Sequence, residues 1–398
     1  MGRPEAVVLG GLINGLSVVR SLAWAGIHPV LVSNERDLAT RSRYVRRHLV
    51  PNYDETLIEE LMRLREGMPN GAVLICAQDA PLLAVSKFRD RLAPHFGLQE
   101  LPPHERLVEL GRKDRFFQMA QEGGLPVPST LLLRKSSDLG AINDLRTPLC
   151  VKQNGHSQPY ERTFKKAYRV ETHAEAQALC ERILDVTGEV LVQEWIEGTN
   201  DSIYFSLCYM GEPKPVAFTG RKGRSWPPQI GVTASCWAAP EVAEELEDLT
   251  IRYFRHVGFT NGFASMEFKR DQRDGRFLMV EPTVGRTNGQ IEISALCGVN
   301  LCYVAYCDLG GLPRPPLRLD PTHVWRDEFT DALAARILGT DCSYPAGHQV
   351  HNAFWRWDDP LPALAAASNF AGRGLRRLQR AVGGLRLMNS APSYQKIS

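Results

Sequence analysis

The sequence predicts an α/β half with a parallel, doubly wound sheet followed by an α+β half dominated by antiparallel strands. Two observations carry this. Over the first hundred residues short apolar runs alternate with helical stretches: a strand at Ala6 to Leu9, a helix near Leu16 to Ala25, a strand at Pro29 to Val32, a helix near Glu55 to Glu66, and a strand within Ala72 to Asp79. That alternation is the signature of βαβ units. From Pro148 the strands lengthen and are joined by hairpin turns, as in EVLVQEWIEG, SIYFSLCYMGEPKPVAFTGRK and SMEFKRDQRDGRFLMVEP, which is the pattern of antiparallel pairing. Between the halves, Pro102 and Pro103 mark a boundary, Lys113 to Glu122 reads as a helix, and GGLPVPST punctuates it. Beyond about Gly310 proline becomes dense, and Trp325, Trp355 and Trp357 fall where the pattern defines no element. The expected division is 1–104, 105–195, 196–310 and a C-terminal extension, 311–398.

Composition narrows the function classes. A chain of 398 residues can bury the cores of two or three packed units. No apolar run approaches the ~20 residues that span a bilayer, and Met1 to Glu5 lead into a strand without a signal-peptide pattern. A cytoplasmic protein is expected. The nine cysteines include no C-x-x-C pair, and Cys297, Cys302 and Cys307 recur every five residues, which is not a ligand spacing. Reduced, buried thiols are the expectation. Of the net charge of +2, six positive charges come from Arg373, Arg376, Arg377, Arg380, Arg386 and Lys396, beyond the last acidic residue, Asp359; the rest of the chain is therefore at −4. A mildly acidic body argues against nucleic acid as a partner. Within the tail, Leu375, Leu378, Val382 and Leu385 recur at helical spacing among arginines. Such a helix either lies peripherally on anionic lipid at the inner membrane face or packs on its own domain.

VVLGGLINGLSVV, from Val7, resembles a dinucleotide-binding turn with one misfit. Gly10 and Gly15 take the outer positions of G-x-G-x-x-G, but Leu12 holds the middle one, where a branched side chain would meet the pyrophosphate. Glu35, past the second strand, would stand for the ribose-binding acid. The turn is expected to be structural, which weakens the reading of the chain as an NAD-dependent oxidoreductase.

The chemistry concentrates downstream. Glu267 and Glu281 flank the charged turn Asp271 to Gly275, so an antiparallel hairpin lets them face each other. Two facing carboxylates either hold Mg²⁺ together with phosphate oxygens and water, or are simply solvated acids. Lys152 closes the apolar strand LCVK, where a lysine can meet a phosphate as a point charge, and Lys113 stands eleven residues before Gly124. Gln153 to Lys166 is polar enough to be a lid over phosphates or a plain surface loop.

In this order the motifs resemble those of the ATP-grasp superfamily, from about Val7 to Gly310. The resemblance implies an N-terminal Rossmann-like domain that serves the second substrate, followed by an ATP-grasp fold that takes ATP and Mg²⁺. Lys113 before GLP and Lys152 ending Pro148 to Lys152 match its two nucleotide-binding lysines. VLVQEWIEG looks like its hinge, with Gln193, Glu194 and Ile196 at the adenine and Asp201 at the ribose. Glu267 and Glu281 match its metal-binding acids. The family's E-x-N-x-R is here EPTVGR, so Thr283 takes the Asn position, Arg286 falls one residue late, and the third metal ligand lies between Thr283 and Asn288, with Asn288 preferred. GRKGRSWPP, from Gly220, resembles a stretch of predicted ATP-grasp carboligases, some associated with exopolysaccharide gene clusters; Arg221, Lys222 and Arg224 are expected to crowd around one anion.

The activity implied is ATP-dependent joining of a carboxylate to an amine through an acyl phosphate, serving surface polysaccharide or amino-acid conjugate biosynthesis. Arg221, Lys222 and Arg286 are its expected catalytic cations. Small-molecule carboxylate and amine substrates, and a second copy in a homodimer, are its expected partners. The alternative is a nucleotide-binding module without catalysis, suggested by the displaced EPTVGRTN.

Overall fold

A computed structural model describes residues 2–34, 37–50, 52–154, 158–165, 167–228 and 231–368. Glu35, part of the expected lid and the basic tail from Phe370 lie outside the described residues.

Strands β1 (Glu5–Leu9), β2 (Val30–Ser33), β3 (Arg46–Leu49) and β4 (Ala72–Cys76) form a parallel sheet in the order β3-β2-β1-β4. Helix α1 (Ile13–Trp24) links β1 to β2, α2 (Glu55–Glu66) leads into β4, and α3 (Asp79–Lys87) leaves it. Val7, Val8, Leu9, Leu31 and Val32 have no exposure, as expected of a parallel sheet covered on both faces. The turn into α1 depends on its glycines for backbone packing: Gly10 has φ +97°, and a Cβ on Gly15 would lie 2.0 Å from the Gly10 carbonyl oxygen. Leu12 precedes α1 with its side chain exposed.

After α4 (Arg89–Leu92), α5 (His104–Leu110) and α6 (Lys113–Glu122) comes a small antiparallel sheet of β5 (Thr130–Leu133), β6 (Leu149–Lys152), β7 (Ala167–Val170) and β8 (Val190–Glu194), ordered β5-β8-β6-β7. Helices α7 (Gln158–Thr163) and α8 (His173–Thr187) accompany it, and Leu149, Val151, Ile183, Val190 and Val192 belong to its core. Thr172 caps α8 through the Glu175 amide, and Gly188, in the left-handed region, ends it.

The third sheet is the largest. It runs β13-β12-β9-β10-β11-β14-β15 through β9 (Ile203–Met210), β10 (Val216–Trp226), β11 (Val232–Ala238), β12 (Gly262–Arg270), β13 (Phe277–Val284), β14 (His323–Arg326) and β15 (Gln349–Asn352). All neighbours are antiparallel except β14 and β15. The proline-dense stretch thus supplies two strands to the edge of this sheet. On one face Tyr204, Met266, Phe268 and Met279 pack with residues of α9 (Ala243–His256) and α6. On the other, Phe205, Leu207, Tyr209 and Phe263 share a core with α1, α10 (Glu292–Leu296) and α11 (Leu301–Leu309), which joins the parallel sheet's domain to the large sheet. Helix α12 (Glu328–Leu338) packs on β10 and β11.

Eight cysteines are buried, Cys342 is exposed, and all are free thiols. Among the described residues no helix is long and apolar enough to cross a membrane.

Candidate functional site

A cleft of about 770 Å³ opens between the small sheet, the large sheet and the start of α3. Its floor is the hairpin of β12 and β13, whose register sets Glu267 opposite Glu281. The next pair is Phe268 with Met279, so Val280 is an extra residue in β13. A bulge at this point re-aims the strand locally, and Val280, Glu281, Pro282 and Thr283 all line the cleft. The G-L-P turn after α6 pins the same strand, because the Met279 amide donates to the Pro126 carbonyl.

Each carboxylate stands against a lysine. Lys222 Nζ is 2.5 Å from Glu267 Oε2, and Lys113 Nζ is 3.1 Å from Glu281 Oε1. Lys113 is the first residue of α6, which the Asn154 side chain holds by accepting from the Asp114 amide. Lys152, at the end of β6, donates to Gln193 Oε1 at 2.8 Å and lies over the Phe117 ring. Gln193 in turn donates to Thr130 Oγ1, and the Glu194 carboxylate accepts from the Arg146 amide. These two side chains are therefore tied to the scaffold, and the segment through Trp195 and Ile196 edges the cleft.

The loop after β13 turns back at Gly285, whose φ is +75°. It brings Asn288 to Thr283: Asn288 Nδ2 donates to Thr283 Oγ1 at 3.3 Å, and its Oδ1 accepts from Ser265 Oγ at 2.7 Å. The two candidates for a third metal ligand thus stand side by side, Thr283 lining the cleft and Asn288 behind it. Arg286 lines the cleft and donates to Asp79 Oδ1 at the start of α3.

Not every expected residue converges here. Asp201 and Arg221 pair with each other, Nη2 to Oδ2 at 3.0 Å, with the guanidinium over Tyr204, and neither lines the cleft. The expectation that Arg221, Lys222 and Arg224 crowd around one anion does not hold. Alternation along β10 sends Lys222 toward Glu267 and Arg221 to the opposite face, and the register shift at Gly223 delivers Arg224 to Asp331 of α12.

One cleft residue escapes the sequence reading. Lys269 lies two residues after Glu267 on β12, lines the cleft, and sits with Nζ 4.8 Å from the centre of the Trp195 ring. Burial lowers its pKa to about 8, against the raising influence of Glu197, Cys150 and Asp271. The i, i+2 spacing from Glu267 is the signal that places both on one face.

The donor set can be judged by its chemistry. Among the described residues no group of three His, Cys, Asp or Glu side chains could enclose a metal. Two facing carboxylates fit a hard divalent cation that draws its remaining oxygens from phosphate and water, as Mg²⁺ does.

This architecture is the ATP-grasp fold, a parallel N-terminal domain followed by two antiparallel units around a cleft. No family model matches the sequence. The chain is 23% identical over 316 residues to the D-aspartate ligase of Enterococcus faecium, covering 74% of each. Among solved structures, an N5-carboxyaminoimidazole ribonucleotide synthetase in complex with ADP superposes with a TM-score of 0.61 at 13% identity, over 80% of this chain and 81% of that one. The L-amino acid ligase from Bacillus licheniformis gives 0.57 at 16% identity, over 81% and 79%.

Proposed function

We propose that this chain is an ATP-dependent ligase that activates a carboxylate as an acyl phosphate and joins it to an amine. The observation that carries the reading is the direct pairing of Glu267 with Glu281 on the floor of a cleft that also presents Lys113 and Lys152. In this reading the segment Gln193 to Ile196 holds the base, and Lys113 and Lys152 meet the phosphates; Asp201, paired with Arg221 outside the cleft, takes no part. Glu267, Glu281 and Asn288 or Thr283 hold Mg²⁺, which when bound neutralises charge on the phosphate oxygens. Lys222 and Lys113 keep the two carboxylates aimed into the cleft.

The chemistry needs positioning and charge rather than a covalent enzyme group. A substrate carboxylate oxygen attacks the γ-phosphorus and ADP leaves. The amine nitrogen then attacks the acyl carbon, loses a proton, and releases inorganic phosphate. Arg286, beside Asp79, faces the transfer from the side of residues 1–104, which we assign to the second substrate. Residues 105–195 and 196–310 enclose the nucleotide, and 311–398 form the C-terminal extension. The likeness to a D-aspartate ligase and an L-amino acid ligase supports an amino acid as one substrate.

Screening for ADP release against pools of carboxylates and amines tests the proposal. With the right carboxylate, hydroxylamine should trap a hydroxamate without the natural amine. A phosphorylated product that hydroxylamine cannot intercept would show a kinase instead.

A further inference from the structure

Lys269 is only 8% exposed, yet among the described residues its ammonium has no ion-pair or hydrogen-bond partner. Its ammonium lies against the Trp195 ring, which Arg169 also approaches, while Glu197 and Asp271 act on it as nearby charges without an ion-pair contact. Arg169 is neutralised by Glu171 and Glu197. A buried ammonium without an acceptor carries a large desolvation cost, and the opening available to this one is the cleft it lines.

Its place along the cleft follows from the sheet. Lys269 is one pleat beyond Glu267 on the same face, on the side away from Ser265, and it pairs in register with Leu278 and Ile203. Trp195 sits between Glu194 and Ile196 at the hinge. Lys269 therefore lies between the paired carboxylates and the hinge. If the phosphates occupy the carboxylate end, as the proposed function has it, the base and ribose lie over Lys269.

We propose that Lys269 is a nucleotide-binding residue that donates a hydrogen bond to an acceptor atom on the base–ribose half of the bound nucleotide. Trp195 holds the ammonium in place by its ring face, and the nucleotide supplies the acceptor that the protein withholds. This rests on the ATP reading of the cleft.

The test is equilibrium binding of three probes, MgATP, adenosine and inorganic tripolyphosphate, to the full chain and to Lys269→Met, which keeps the length and removes the charge. Loss of a charge-assisted hydrogen bond should weaken MgATP and adenosine about tenfold or more, with tripolyphosphate changed less than about twofold. Lys269→Arg should recover part of the adenosine affinity, which a packing defect would not allow. Unchanged adenosine affinity in Lys269→Met, or a loss as large for tripolyphosphate as for adenosine, overturns the assignment while leaving the ATP reading intact. A wild-type chain that binds none of the probes sinks both.

Discussion

Arg20 and Lys269 are both cations with almost no exposure, and they differ in what surrounds them. Arg20, on α1, reaches across the seam to the loop after β15, where Nε donates to Asp359 Oδ2 at 3.1 Å and the two other nitrogens donate to the carbonyls of Ala353, Phe354 and Asp359. Asp359 also accepts from Ser42 Oγ and the Arg43 amide. Nearby, buried Glu292 accepts from Trp325 Nε1 and Arg356. In the seam every one of these charges is answered by protein. In the cleft, Lys269 has no such partner and Lys152 has a neutral amide for one of its partners. Answered charges fix the arrangement of domains, whereas charges left facing a cleft are available to a ligand.

Mutations on the two sides should therefore separate activity from stability. The largest effect belongs to Glu281→Gln, which removes a metal-binding charge and almost no volume. ATP turnover should fall by about a hundredfold or more, while the melting temperature without nucleotide stays near that of wild type. Turnover within a few-fold of wild type would remove Glu281 from the metal site. Asp359→Asn should do the reverse. It strands the Arg20 guanidinium and turns an acceptor into a donor beside it, at a cost of about 3 to 5 kcal/mol, read as a lower denaturant midpoint with activity per folded molecule preserved. An unchanged midpoint would mean the seam is not held by this pair.

Lys152→Ala tests the cleft with a smaller effect. Removing one charge-assisted contact to phosphate should weaken nucleotide binding by about 1 to 3 kcal/mol. One of its present partners, Gln193, is a neutral amide. Equal affinity by equilibrium binding would take Lys152 out of the phosphate site.

The same comparison explains what could be seen in the sequence. The parallel sheet was legible because βαβ units are built from neighbouring segments, and the Glu267–Glu281 pairing because a short hairpin sets its own register. Lys269 was legible in principle from its spacing to Glu267, but a lysine near a strand end reads as solvated until the facing hinge is known. The GRKGRSW cluster misled because its three cations are adjacent in sequence, while pleating and the irregularity at Gly223 send them to three places. Arg20 gave no signal at all. It lies in an ordinary helix, and its partner is 339 residues away. Strands β14 and β15 are four residues each in a proline-dense stretch, and only the edge of a preformed sheet makes them strands.

The smallest expected effect lies where the seam meets the sheet edge, in the chain Asp320, His323, His351, Arg356 and Glu292. Arg356 Nη1 is 2.8 Å from His351 Nδ1, and since a guanidinium can only donate, Nδ1 must accept. The imidazole proton then sits on Nε2 and is donated to His323 Nδ1 at 2.9 Å, leaving His323 Nε2 directed at Asp320. A second proton on His351 would oppose the Arg356 N–H. Burial, then the charge of Arg356, then His323, hold its pKa down to about 4. The unfolded chain binds that proton near pH 6.5 and the folded one does not. The contribution of His351 to stability is thus complete above about pH 6.5 and is lost as the pH falls toward 4. His351→Gln can accept from Arg356 and donate to His323 without titrating. Melting temperatures measured from pH 7.5 to 5 should fall less steeply for the glutamine variant than for wild type, and parallel curves would show that His351 does not carry the dependence.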